Sequence, residues 1–194
     1  MSSRPLIMQN EHLNNGDSAP AVTPDWWTMR DGSQVAIRPI RPEDEALMIA
    51  FHEGLSGRSV YMRYFESLSF AARTKHERLL RICFADPQQE TVLVAVHTDP
   101  HSSAQHILAV ARLNKLSDRT TAEIAVLVTD DYQEQGLGTE LLKRLVKAAP
   151  SQGIHRITAE MLRDNTQMQS IFKKLGFRLK QLKDPRSVRA AIDL

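Results

Sequence analysis

The stretch Ala122-Glu-Ile-Ala-Val-Leu-Val128 runs through Thr129-Asp-Asp-Tyr-Gln133-Glu-Gln into Gly136-Leu-Gly138-Thr139, and its reading decides the fold. The mostly apolar run to Val128 predicts a strand. Leu137, Leu141, Leu142, Leu145 and Val146 then recur at the spacings of a helix with one buried face. Lys143, Arg144 and Lys147 fall on the other side. Between strand and helix stand two glycines. Lacking Cβ, they let the backbone approach a ligand closely, and the first helical turn has N–H groups with no intrahelical partner. Such a turn is a cradle for an anion of the pyrophosphate type.

Two other glycine loops fail at this site. A P-loop requires Lys and then Ser or Thr after its last glycine, but Gly138 is followed by Thr139 and Glu140. A dinucleotide fingerprint requires a third glycine where this chain has Leu141. What remains is Gln-x-x-Gly-x-Gly, a spacing that serves tight turns as well as ligands.

A second motif narrows the reading. The strand pattern Ile154 to Leu162 leads into Asn165-Thr-Gln-Met168-Gln-Ser-Ile171-Phe172-Lys-Lys-Leu175-Gly176-Phe177. In this order, about thirty residues apart, the two segments resemble the paired signature motifs of the GNAT acyltransferase superfamily. Ile37 to Asp44 and Leu55 to Phe65 are similar to the N-terminal part of the acyltransferase domain of bacterial protein-lysine acetyltransferases. The resemblance covers roughly residues 28 to 194. It implies a GNAT fold, acetyl-CoA as co-substrate, and a protein lysine as acceptor, with an acyl-CoA synthetase among the expected partners. Many such enzymes carry a fused synthetase-like domain; this chain is expected to be a free-standing version, as a monomer or homodimer.

The motif match also implies the cofactor contacts. Val126, Leu127 and Val128 are expected along pantetheine, with the backbone amides of Val126 and Val128 pairing as if with an added strand. Gln133, Glu134, Gln135, Gly136, Leu137, Gly138 and Thr139 are expected around the pyrophosphate. Asn165 reads equally as an N-cap and as a pantetheine contact. Phe172 stands where many relatives carry the tyrosine that protonates the departing thiolate. Phe donates no proton, so the thiolate, with a thiol reference pKa near 8.5, leaves unaided or with water. Met168, Ile171 and Leu175 read as core.

Transfer to lysine needs a neutral amine, scarce at pH 7 for a group of pKa about 10.4. Glu123, among Ala122, Ile124, Ala125 and Val126, is the first candidate for the base, on the expectation that partial burial raises its pKa. Glu160, five residues before Asn165, is the second, since some GNAT members place their glutamate there. Either glutamate also reads as a member of an ion pair, for example with Arg112 or Arg156. Two rival functions stay open: acetylation of a small amine, and non-catalytic acyl-CoA binding.

Composition bounds the rest. The 194 residues, 42% hydrophobic and 25% charged, suit one domain at 25–194 preceded by a disordered extension at 1–24, rich in Ser, Asn and Pro. A net charge of +2 argues against nucleic acid as partner. No apolar run is long enough to span a membrane, and the single Cys83 permits no internal disulfide, so a cytoplasmic setting is expected. Cys83 reads as a small buried residue. His97, Asp99, His101 and His106 lie along an expected hairpin loop without metal-ligand spacing, so no metal is expected. From Lys173 onward cations dominate; they read first as a solvated helix-and-strand surface, and the functional alternative puts one or two of them at the 3′-phosphate of CoA. The element order predicts an α/β fold with a mixed, mostly antiparallel sheet of about six to seven strands flanked by helices. Strands are expected at 34–38, 91–97, 106–112, 122–128, 154–162, 178–182 and 187–193. Helices are expected from Pro42 to Glu53, 54–64, 71–82 and after Gly136.

Overall fold

The consecutive apolar residues Val35, Ala36 and Ile37, followed by Arg38, make Gln34–Pro39 a strand whose interior is buried throughout, covered on both faces. The computed structural model describes residues 25–194; the extension expected at 1–24 lies outside the described residues. Eight strands form one sheet among them: β1 (Asp25–Thr28), β2 (Gln34–Pro39), β3 (Glu90–Thr98), β4 (Gln105–Lys115), β5 (Thr121–Val128), β6 (Arg156–Leu162), β7 (Arg178–Gln181) and β8 (Ser187–Asp193). Their order is β1-β2-β3-β4-β5-β6-β8-β7. Only the β5–β6 pair is parallel. The strand beyond the expected six or seven is β1, too short and too exposed to announce itself by periodicity.

The helices are α1 (Glu45–Glu53), α2 (Gly57–Tyr64), α3 (Phe70–Arg73), α4 (His76–Cys83), α5 (Leu137–Ala148) and α6 (Thr166–Lys174). The helix expected at 71–82 is two, α3 and α4, each started separately: Ser69 Oγ accepts from Ala72 N–H at 3.2 Å. The start expected at Pro42 is a 3₁₀ turn that passes into α1.

Two apolar clusters sandwich the sheet. On one face Leu137, Leu141, Leu142 and Leu145 of α5 meet Leu113, Ile124 and Ile157, and α6 adds Phe172. Burying each such leucine stabilises the fold by about 1.5–3 kcal/mol. On the other face Met48, Phe51, Leu79 and Ile82 of α1 and α4 cover Val92, Val94 and Val110. A buried ion pair ties β2 to the start of α1: Arg38 donates to both Asp44 oxygens at 2.6 and 2.7 Å, and Asp44 also accepts from Arg41 N–H at 2.8 Å.

Candidate functional site

The parallel pair is short, and that creates the site. β5 and β6 are in register only at Thr121 with Arg156, Ala122 with Ile157 and Glu123 with Thr158. Beyond that point β6 is paired with β8 and β5 with β4, and a cleft opens between them. The ladder on the other side of β5 fixes which backbone groups face the cleft. Leu116 N–H donates to Thr121 O at 2.8 Å, and Thr129 N–H to Leu108 O at 2.9 Å. In this antiparallel register the odd residues Glu123, Ala125 and Leu127 exchange bonds with β4. The N–H groups of the even residues therefore point toward β6: Ile124 still falls within the parallel pairing, while those of Val126 and Val128 lie beyond it and meet no strand there. Leu127, expected along the cofactor, gives its backbone to β4 and borders the cleft with its side chain.

The cleft widens into a cavity of about 740 Å³. It is lined by β5, the turn 133–139, one side of α6 along its length, β6 and α2. In the turn, Glu134 and Gly136 take left-handed backbone angles, φ 62° and 95°. Glu140 N–H makes the first helical bond, to Gly136 O at 3.0 Å, so the amides of Leu137, Gly138 and Thr139 precede any intrahelical partner. Arg30, just past β1 and also lining the cavity, binds the turn: its Nη1 donates to Glu134 O at 2.8 Å and its N–H to Gln135 O at 3.3 Å. Carbonyls that would repel an anion are thereby neutralised by a cation. Trp27 of β1 packs beneath Gly136, where an added Cβ would come within 3.0 Å of its ring. Nothing local in the sequence signalled Trp27 or Arg30, because they reach the turn across more than a hundred residues.

Gln133 turns away from the amides. Its Nε2 donates to Ser59 Oγ at 2.9 Å and Val128 O at 3.3 Å. Ser56 Oγ and Ser59 Oγ donate to Asp130 Oδ1 at 2.6 and 3.0 Å, so this network bolts α2 to the turn. Asn165 caps α6, accepting from Met168 N–H at 3.1 Å, as an N-cap should. Phe172 is 2% exposed and meets Phe177 edge to face with centroids 4.9 Å apart. Met168, Ile171 and Leu175, expected in the core, are half-buried against it, and Met168 and Ile171 also line the cavity.

The two glutamates differ. Glu123, the last β5 residue paired to β6, lines the cavity from the face that α2 covers, and it is exposed. The partial burial expected for it is corrected by the divergence of β6, which leaves that face open. Glu160 also lines the cavity, but Arg189 of β8 holds it, with Nε donating at 3.1 Å. The expected partners are engaged elsewhere: Arg112 with Glu90 and Arg156 with Asp193. Of the C-terminal cations, Lys174 lines the cavity, while Arg178 and Arg186 pair with Asp193 and Asp184.

Groups outside the cavity have plainer roles. Asp99 accepts from the N–H groups of His101 and Ser102, both at 2.8 Å, and so shapes the β3–β4 hairpin turn. Cys83 is buried, and burial pushes its thiol up to about 11, with Asp44 and Glu45 adding to the effect. No helix among the described residues is long and apolar enough to cross a membrane.

A mixed sheet that splays beside a glycine turn and opens free strand amides to a cavity is the frame of an acyltransferase. Residues 34–178 match the acetyltransferase (GNAT) domain family, and the chain belongs to it. It is similar to acetyltransferase Pat of Mycolicibacterium smegmatis, 31% identical over 159 residues, which are 81% of this chain and 45% of that protein. The chain thus spans less than half of that relative. It is 28% identical over 170 residues to acetyltransferase PA5475 of Pseudomonas aeruginosa, covering 86% of this chain and 88% of the relative. The crystal structure of the GNAT domain of S. lividans PAT superposes with a TM-score of 0.78 at 26% identity, over 91% of this chain and all of that domain.

Proposed function

We propose that the chain transfers acetyl from acetyl-CoA directly to the side-chain amine of a protein lysine, in the cytoplasm, with Glu123 as the base. One observation carries this reading: free β5 amides and a nest of turn amides border the same cavity as an unpaired carboxylate at the point of strand divergence. Acetyl-CoA is the general co-substrate of GNAT acetyltransferases, and the residues present fit it. The N–H groups of Val126 and Val128 would bind pantetheine as an added strand. The amides from Glu134 to Thr139 would bind the pyrophosphate. Lys174 suits the 3′-phosphate. Similarity to Pat supports a protein lysine, and an acyl-CoA synthetase is the partner proposed.

In this mechanism Glu123, acting through a water, takes the proton that the lysine ammonium must lose. The freed amine nitrogen bonds to the thioester carbonyl carbon, and the carbon–sulfur bond breaks. Phe172 lines the cavity without a proton to give, so the sulfur leaves as thiolate, and the second proton that the nitrogen sheds on becoming an amide passes to it through solvent. The role of Phe172 is then apolar contact and exclusion of water. Glu160, tied to Arg189, is the weaker candidate for the base.

The test is incubation of the purified protein with acetyl-CoA and a bacterial acetyl-CoA synthetase, beside a panel of small amines. Acetylated lysine by mass spectrometry is expected. Acetylation confined to the panel would replace the protein acceptor, and tight CoA binding without transfer would make the chain an acyl-CoA-binding regulator.

A further inference from the structure

Among the described residues, Arg58, Arg63 and Lys174 line the cavity without an ion pair, and of these Arg63 is set beside Glu123 and a tyrosine ring. Arg63, on the last turn of α2, lines the cavity from the face of β5 that carries Glu123. Its guanidinium carbon lies 5.2 Å from the centroid of Tyr64, and that of Arg78 lies at the same 5.2 Å, so both cations pack on the one ring. That contact positions Arg63. Nearby charges are otherwise engaged: Arg112 donates to Glu90 at 2.5 Å, and Glu160 is held by Arg189. Glu123 is near enough to act on Arg63 through its field, yet the two form no ion pair. Burial pulls the Arg63 pKa down; Tyr64 and Glu123 oppose that, and Arg112 and Arg78 add to it.

A partly desolvated guanidinium with open donors is a site for an anion, best a planar carboxylate that takes two parallel N–H bonds. A purely cationic acceptor would be repelled by Arg63 as it approached Glu123. An acceptor bearing a carboxylate beside its amine would be neutral overall and would engage both groups. We infer that Arg63 anchors the acceptor by binding a carboxylate adjacent to the amine presented to Glu123. The inference rests on the cavity being an acetyl-transfer site, and it narrows the acceptor to an amine with a neighbouring carboxylate. That carboxylate has two sources: an acidic residue beside the modified lysine of a protein, or the α-carboxylate of a free amino acid.

The test compares the wild-type protein with Arg63→Ala and Arg63→Lys on two matched pairs of acceptors. One pair is a lysine peptide flanked by Glu and its Gln-flanked twin. The other is a panel of free amino acids and their amides. In the wild-type protein kcat/KM should favour the carboxylate member of one pair by about tenfold, the worth of a charge-assisted hydrogen bond. Arg63→Ala should bring that ratio to about one, and Arg63→Lys should restore part of it, with CoA affinity by titration and Tm unchanged. The pair that responds identifies the source of the carboxylate. Equal rates within both pairs, or a preference that survives Arg63→Ala, would overturn the anchor while leaving acetyl transfer intact. No transfer to any acceptor by the wild-type protein would overturn the transfer reading, and the anchor with it.

Discussion

Glu160 is bound by Arg189 across the β6–β8 ladder, with Nε donating at 3.1 Å. Glu123, its counterpart across the cleft, has no cation bound to it. The Arg189 guanidinium occupies Oε1 of Glu160 and anchors the side chain to β8, away from free approach to an acceptor amine. Glu160→Gln should therefore leave kcat within about threefold of wild type, because general-base losses of about 10²–10⁴-fold attach to the base itself. Both side chains of the pair are substantially exposed, so the melting temperature should move little. Steady-state kinetics and a thermal melt check both.

The two turn glycines should separate on substitution. Gly136 has φ 95°, and a Cβ there meets Trp27 at 3.0 Å, so Gly136→Ala should cost about 1–2 kcal/mol and weaken CoA binding. Gly138 has ordinary space, its nearest contact being Val128 Cγ2 at 3.6 Å. Gly138→Ala should keep or slightly raise stability, as expected in a helical first turn, while lowering CoA affinity by crowding the amides. Urea unfolding and calorimetric CoA titration distinguish fold from ligand at each position.

His52 gives the fold an acid limb. It is 2% exposed, its Nδ1 has no hydrogen-bond partner, and burial pushes its pKa down to about 4, helped by Arg73 and Arg78. Unfolded chains bind its proton from about pH 6.5 downward, whereas the folded protein resists until about pH 4. The stability gained from keeping His52 neutral is full above about pH 6.5 and is lost as pH falls toward 4. The loss is on the order of 3 kcal/mol over that window. His52→Leu should flatten this limb in urea titrations at stepped pH.

Asp44 should be the costliest single polar loss. Its carboxylate is 3% exposed and takes two bonds from Arg38 and one from Arg41 N–H. Asp44→Ala strands a buried guanidinium, with an expected loss of about 3–5 kcal/mol in urea unfolding. Replacing both partners by apolar residues should cost less than the single change.

The motifs made the fold legible because each is a local pattern: a strand, a glycine turn and a helix read within thirty residues. What stayed hidden depends on tertiary geometry. β1 has four residues and little burial, yet its Trp27 and the following Arg30 support the turn across the sheet. The apolar neighbours of Glu123 suggested burial, but strand side chains alternate, and β6 leaves the strand where Glu123 stands. Gln133 and Asn165 matched a family pattern as ligand contacts, while their side chains serve Ser59 and the α6 cap. The Arg63–Tyr64–Arg78 stack joins α2 to α4, and no spacing along the chain announces it.

The most direct measurement is the rate of lysine acetylation by the wild-type protein and by Glu123→Gln from pH 7 upward, with acetyl-CoA affinity titrated for both. The account predicts equal affinity, a loss of about 10²–10⁴-fold at pH 7, and a gap that narrows as pH approaches the lysine pKa of about 10.4, where the amine loses its proton unaided. A Glu123→Gln protein that keeps the wild-type rate at every pH would contradict it.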